Sequence, residues 1–215
     1  MRNEDWEPIY REILSDMGYD RASDENSAKV LRTLMLNADL ITEDEVPVGD
    51  TVSVFGAAES LMSDIAKVRP EGTLISAGSA TSTLISLGIV PDIVVTDLDG
   101  DIDSQIEASR RGAVTLIHAH GDNIDLIMGY AKGFTGKVIL TTQSKPDFVL
   151  CNFGGFTDGD RAVCFARHMG AKRILLYGFD FDNPSSKDGS DPAVKKKKLQ
   201  WAKRVIGESS DIVRI

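Results

Sequence analysis

No stretch of these 215 residues stays apolar for the roughly 20 positions that a membrane-spanning helix needs, so no membrane partner is expected. Basic charge is scarce: 24 Lys and Arg stand against 33 Asp and Glu, a net charge of -9. A protein that wraps nucleic acid carries a basic stripe to replace the counterions on phosphates, and the one dense basic run here is Lys195 to Lys198. Nucleic acid is therefore not an expected partner. The same acidic excess repels a bare nucleotide, so a phosphate substrate is expected to arrive with a metal. The two cysteines, Cys151 and Cys164, lack C-x-x-C spacing and read as reduced thiols rather than a disulfide or a zinc site. The opening MRNEDWEPIY is too acidic for a signal peptide, which makes the cytoplasm the expected location.

What is present is ordinary for a globular chain, with 42% hydrophobic and 27% charged residues. Residues 1–45 stand apart, with twelve acids and five bases. Trp6, Ile9, Tyr10, Ile13, Leu14 and Met17 recur at helical spacing, and Gly18 is a stop. Val30, Leu31, Leu34, Met35 and Ala38 form a second stripe that Ser23 or Asp24 can cap. This predicts an N-terminal helical cap over residues 1–45. The cap would pack either on the main domain or, with Trp201, on a second copy in a homo-oligomer.

From residue 46 onward the rhythm is that of an α/β domain. Short apolar runs at Thr51–Phe55, Thr73–Ala77, Asp92–Thr96, Ala113–His118, Lys137–Thr142 and Arg173–Tyr177 alternate with amphipathic stretches. Continuous short runs suit strands buried on both faces, so the expected fold is a Rossmann-like, mostly parallel sheet with helices on both sides. Asn183–Lys198 reads as an exposed loop entering a last helix near Leu199 and Trp201.

Each predicted strand runs into a polar or glycine-containing loop, and in a parallel sheet all such loops emerge at the carboxyl edge, where open α/β folds bind ligands. Gly56 follows the first strand, and Gly78 and Ser79 the second. Loops of glycine and small hydroxyls can bring backbone N–H groups up to phosphate, although each taken singly is a strand-to-helix turn. Asp97 and Asp99, in Pro91–Asp101 (PDIVVTDLDGD), lie two apart at a strand end. In extended chain they would point the same way and repel unless a cation joins them. Mg2+ suits that pair, because it takes carboxylate oxygens and keeps positions for phosphate. The D-x-D-G run also resembles the haloacid-dehalogenase phosphatase motif, in which Asp97 would be a nucleophile. Here, however, two strands precede it and Asp101 replaces the motif's threonine.

His118 and His120 alternate along a strand end without a visible third zinc ligand, and His168 reads as structural. Asp122 or Asp125 can cap the following helix, and Asp122 can complete the metal site of Asp97 and Asp99. Thr157 or Asp158 can cap a helix that places Arg161 in its first turn, where it can face a phosphate.

Taken together, Pro91–Asp101, HAHGDN (118–123), GFTDGDRA (155–162) and GFDF (178–181), in this order, resemble the archaeal 6-hydroxymethylpterin diphosphokinase (MptE-like) family over residues 50 to 182. The family's Gly-Pro-Ser-Leu turn after the first strand is replaced by Gly56-Ala57-Ala58-Glu59-Ser60-Leu61. A more distant similarity is to thiamine pyrophosphokinases, through Asp97 and Asp99 and through Asp122 and Asp125, with Gly100 in place of a serine. The resemblance implies transfer of diphosphate from ATP, with Mg2+, to the hydroxymethyl group of a reduced pterin, releasing AMP, in tetrahydromethanopterin or folate-type pterin biosynthesis. On that basis Asp97, Asp99 and Asp122 are expected to hold the metal and catalyse. Gly56, Gly78, Ser79, Thr157, Asp158 and Arg161 are expected at the nucleotide, and Asn123 and Gln143 at the pterin's hydrogen-bonding edge.

Overall fold

A computed structural model describes residues 3–183 and 191–215. Its centre is one eight-stranded sheet in which every pairing is parallel. In chain order the elements are α1 (Asn3–Met17), α2 (Arg21–Leu34), β1 (Thr51–Phe55), α3 (Leu61–Lys67), β2 (Thr73–Ala77), α4 (Ala80–Ser86), β3 (Ile93–Thr96) and α5 (Ile102–Arg110). They continue with β4 (Val114–Ala119), α6 (Ile124–Tyr130), β5 (Val138–Thr142), β6 (Leu150–Cys151), α7 (Asp158–His168), β7 (Arg173–Tyr177), α8 (Pro192–Ile206) and β8 (Ile212–Arg214).

The six apolar runs are β1 to β5 and β7, each within a residue of its expected bounds. The very short β6 and β8 were not foreseen, because two or three residues leave no periodic signal. Across the sheet the order is β6-β5-β4-β3-β2-β1-β7-β8. The chain therefore winds outward from β1 to β6, returns, and continues on the other side of β1. The strand order reverses between β1 and β7, and a crevice opens at such a reversal at the carboxyl ends of the strands.

Both faces of the sheet are covered. Val52, Val54, Ile75, Ile93, Val95 and Leu116 face Val163, Phe165 and Ala166 of α7 and Ala202 and Ile206 of α8. On the other face, Ile117 and Leu140 pack with Leu31 and Met35 near α2 and with Ile127 of α6, while Phe55 and Tyr177 pack with Leu61 and Leu84. The alternation along β1, with Val52 and Val54 on one face and Phe55 on the other, is the two-residue period of a strand buried on both sides.

The N-terminal hairpin packs within its own chain. Trp6, Tyr10 and Ile13 are fully buried against Phe156, Cys164 and Val205, with Trp201 at the margin. Each of those three side chains contributes roughly 1.5–3 kcal/mol of burial. The Trp6 Nε1–H also donates to the Gln143 carbonyl at 2.8 Å. The first stripe is thus used inside the protein and is not left for a partner subunit. Leu40 pairs with Val138 beside β5, so the connection out of the hairpin is itself attached to the sheet.

Two capping expectations differ from the structure. Asp20, not Ser23 or Asp24, caps α2, accepting from the Ser23 N–H. Asn123, not Asp122 or Asp125, occupies the cap position of α6. The helix near Trp201 starts earlier than expected: Asp191 caps it and Pro192 opens it, so Pro192–Lys198 is helical rather than loop. Residues 184–190 of that predicted loop lie outside the described residues.

Candidate active site

The third strand ends at Thr96, and the chain then makes a turn that an extended reading does not anticipate. Leu98 adopts a left-handed backbone (φ 68°) and is fully buried among Ile102, Ile117 and Ile127. A left-handed conformation costs a non-glycine residue about 1–2 kcal/mol, and burial of the leucine side chain offsets it. A polar clamp fixes the turn. The Leu98 N–H donates to Thr96 Oγ1 at 2.8 Å, that hydroxyl donates to Gln105 Oε1 at 2.6 Å, and Gln105 Nε2 donates to the Asp99 carbonyl at 2.8 Å. Asp97 and Asp99 come to one side because Leu98 is drawn into the core between them, not because the strand continues.

They meet a third carboxylate, Asp158, at the first turn of α7. One oxygen of each of Asp97, Asp99 and Asp158 lies within 4.8 Å of the others. Gly78 (φ +44°) makes room for this: a Cβ there would sit 2.6 Å from Asp158 Oδ2 and 3.6 Å from Asp99 Oδ1. Asp158 was expected at the nucleotide, and its place within this group could not be read from sequence spacing. Asp122, expected in the group, stands outside it. Its Oδ1 is 2.5 Å from His120 Nδ1, and His120 Nε2 is 3.2 Å from Asp97 Oδ2, so Asp122 reaches the first acid only through the imidazole.

The electrostatics follow from this crowding. Burial opposes ionisation of Asp97, but the hydrogen bond and charge of His120, with Arg161 nearby, outweigh it and hold the carboxyl well below its ordinary range. Asp158 moves the other way: burial, then the negative charge of Asp97, push its carboxyl well above the usual value against the pull of Arg161. For His120, burial disfavours the cation, yet its bonds to Asp122 and Asp97 prevail and raise its pKa to about 9. His118 is buried, bonds Thr141 Oγ1 at 2.9 Å, and is pushed well below its ordinary value by burial and by Arg161.

Asp97 Oδ1 is buried and has no hydrogen-bond partner among the described residues. A buried carboxylate oxygen without a partner, on an acid grouped with two further carboxylates, fits a hard divalent cation, and three oxygen donors are the ligand type that Mg2+ takes.

Arg161 is nearly buried. Nη1 donates to Asp158 Oδ1 at 3.0 Å, and Nη2 donates to the Phe156 carbonyl at 2.7 Å and to Gln143 Oε1 at 3.3 Å. Gln143 in turn donates from Nε2 to Asp24 Oδ2 at 2.8 Å. Asp24 also accepts from the Tyr10 hydroxyl at 2.5 Å and from the Gly121 N–H at 2.6 Å. Thr157 is the cap residue of α7, with its N–H and hydroxyl both bonded to Asp160 Oδ1. Asn123, expected at the pterin's edge, is engaged within the protein. Both of its amide hydrogens are taken, by the Asp97 and His118 carbonyls at 2.9 and 2.8 Å, and its oxygen accepts from the His120 N–H. The side chain ties the ends of β3 and β4 together and has no donor left for a ligand.

Two cavities meet at the carboxylates. A cleft of about 720 Å3 is lined by Tyr19, Asp24, His120, Asp122, Gln143, Phe156 and Lys198 among others, and by Asp97 and Arg161. A cavity of about 190 Å3 lies over the β1/β7 reversal, walled by Gly56, Ala57, Ala58, Gly78, Ser79, Gly178 and Phe179. Asp99, Thr157, Asp158, Lys195 and Leu199 border both. Gly56 is required by packing, since a Cβ there would lie 2.6 Å from the Gly178 carbonyl. The site thus unites Gly56, Gly78, Ser79, Asp97, Asp99, Thr157, Asp158 and Arg161 at one edge. Gln143 lies at the large cleft's wall.

Sequence reasoning missed Asp24, Tyr19, Lys195 and Lys198. Asp24 did leave a signal: it falls one helical turn before Ala28 and two before Leu31, on the buried face of its helix.

Comparison with known proteins shows the family. The family described as "6-hydroxymethylpterin diphosphokinase MptE-like" matches residues 25–186. Three relatives carry the name 6-hydroxymethyl-7,8-dihydropterin pyrophosphokinase. The protein of Methanothermobacter thermautotrophicus is 43% identical, over 94% of this chain and 92% of the relative. That of Pyrococcus furiosus is 41% identical, over 96% and 93%. That of Methanocaldococcus jannaschii is 33% identical, over 100% and 98%. Among solved structures, the MAf glycosyltransferase from Magnetospirillum magneticum AMB-1 shares the fold with a TM-score of 0.50 and 16% identity, over 80% of this chain and 29% of that one.

Proposed function

The chain belongs to the MptE-like 6-hydroxymethylpterin diphosphokinase family, and from this we propose that it transfers a diphosphate group from Mg-ATP to the hydroxymethyl group of 6-hydroxymethyl-7,8-dihydropterin, releasing AMP. The observation that carries the reading is the group Asp97, Asp99 and Asp158, set where two cavities join. A two-substrate transfer needs that arrangement, with a reactant from each side and the charge-bearing group between them.

Asp97, Asp99 and Asp158 would hold the cation. A divalent cation held by these acids would supply positive charge against the charge that builds on the transferring group. Gly56, Gly78 and Ser79 line the smaller cavity, the side we assign to the triphosphate, where the two glycines let Phe179 and Asp158 pack close to the strand ends. Arg161 holds Asp158 in place and presents positive charge beside Asp97. Asp122 acts through His120, orienting the imidazole that bonds Asp97.

In the reaction the acceptor's hydroxyl oxygen forms a bond to the β-phosphorus. The bond between that phosphorus and the oxygen bridging to the α-phosphorus breaks, AMP departs with the electron pair, and the hydroxyl proton is released to solvent. Positioning and a preorganised field supply most of the acceleration.

The test is incubation with ATP, Mg2+ and 6-hydroxymethyl-7,8-dihydropterin. AMP and a pterin diphosphate are expected, in equal amounts and without ADP. Thiamine offered in competition should not be consumed. Phosphate release without ATP, with a phosphorylated Asp97, would instead identify a phosphatase.

A further inference from the structure

The two cavities differ in what their walls can recognise, and this difference extends to the substrates; the step rests on the diphosphotransfer reading above. The smaller cavity is bounded by small residues, Gly56, Ala57, Gly78 and Ser79, with Phe179 and Lys195, and lies at the strand-order reversal where open α/β folds bind ligands. The larger cleft has a different wall. Tyr19 and Phe156 stand with ring centroids 6.3 Å apart, tilted by 49°, and Lys198 Nζ lies 5.9 Å from each ring. Phe156 is fixed by core packing against Trp6 and Ile13. Tyr19 is held at the α1–α2 turn, where Gly18 is left-handed and the Tyr19 N–H donates to the Leu14 carbonyl.

The same cleft is bordered by Asp24, which is 3% exposed, has no cationic partner among the described residues, and accepts from Tyr10, Gly121 and Gln143. Aromatic faces and a carboxylate bordering one cleft match a planar heterocycle whose polar edge is rich in N–H donors, as an aminopyrimidinone ring is. Gly121 lets the hairpin come this close, since a Cβ there would meet the Ser23 Cβ at 3.0 Å.

We propose that the acceptor's bicyclic ring docks in the large cleft against Tyr19 and Phe156, so that the N-terminal hairpin, through Tyr19, is the specificity-determining wall for the pterin. The hydroxymethyl group then points to the carboxylates and the nucleotide enters from the glycine-walled side. The hairpin is in this sense part of the active site and not a cover beside it.

The experiment uses the full chain. Binding of 6-hydroxymethyl-7,8-dihydropterin and, separately, of a non-hydrolysable ATP analogue with Mg2+ is measured by calorimetry for wild type, Tyr19→Ala, Tyr19→Leu and Tyr19→Phe. Turnover is measured in parallel with ATP. Loss of one stacking face predicts pterin binding weaker by about tenfold or more in the Ala and Leu variants, near-normal binding in Tyr19→Phe, and unchanged affinity for the analogue. Tyr19→Leu keeps apolar bulk at the turn, and thermal melts matching wild type certify its fold. Unchanged pterin affinity in Tyr19→Leu overturns the inference, as does a loss confined to the ATP analogue, which would put the adenine on this wall. In either case normal wild-type turnover leaves the diphosphokinase reading intact. A wild-type protein that neither binds nor converts the pterin removes that reading, and the inference with it.

Discussion

The wall over β1, β2 and β7 and the wall built from the N-terminal hairpin, β4 and β5 share two carboxylates, Asp99 and Asp158, and border them by opposite means. The first works by leaving atoms out: Gly56, Gly78 and Gly178 let backbone loops approach one another and the acids. The second works by filling space, with Tyr19, Phe156, Gln143 and Asp24 interlocked through rings and hydrogen bonds. A site made by omission is sensitive to any added side chain, whereas one made by interlocking is sensitive to the loss of a partner. Substitutions should therefore divide along this line.

The largest effect is expected where the walls meet. Asp97→Asn and Asp99→Asn should each lower kcat by about a hundredfold or more, since each removes charge where the cation and transferring group sit, with little change in melting temperature. Steady-state rates and circular dichroism melts check this, and two variants with wild-type rates would end the metal assignment. On the glycine-walled side, Gly78→Ala adds a Cβ 2.6 Å from Asp158 Oδ2 at a left-handed position. It should lose roughly 1–2 kcal/mol of stability, read by urea melts, together with most of its activity.

On the interlocked side, Asp24→Ala leaves the Tyr10 hydroxyl, the Gly121 N–H and the Gln143 amide without their shared acceptor. A loss of about 1–3 kcal/mol in chemical denaturation is expected, with the KM for the pterin rising more than the KM for ATP. A rise confined to ATP would reverse the division between the two walls. The smallest effect is expected at the cysteines. Burial pushes the Cys164 thiol up to about 12 and the Cys151 thiol up to about 11, so neither should be alkylated appreciably in the native protein near neutral pH. Mass spectrometry after iodoacetamide treatment reads this, and rapid labelling of Cys164 would show that the packing beneath Phe156 opens readily.

The parts legible in sequence share one property: their signal is local. The runs at β1 to β5 and β7 are short, apolar and bounded, and a parallel sheet follows from their alternation with helical stretches. Because every strand then ends at one edge, the loops carrying Gly56, Gly78, Asp97, His120 and Thr157 gather there. The α1 stripe was equally plain, but whether it packed on its own chain or on a partner was not. That depended on Phe156 and Val205, far along the chain, presenting a matching surface.

The remaining differences are matters of direction. Asp122 was grouped with Asp97 because both follow strands, yet its carboxylate turns to His120, while Asp158 swings in from α7. Asn123 looked free to read a ligand, and its amide is spent on two carbonyls. Asp24 was taken for a cap because acids often begin helices, and it lies instead on the buried face of α2, facing Gln143 across 119 positions of chain.

Residue order alone determined the parallel sheet, the edge at which its loops collect and the acidic strand end at its centre, because strand periodicity and chain polarity act over a few neighbouring residues. The choice of the third carboxylate, the left-handed turn at Leu98 and the hairpin's place in the cleft were decided by the tertiary structure. Each depends on which distant side chain fills a space, and a packed interior settles that only when all its elements are present together.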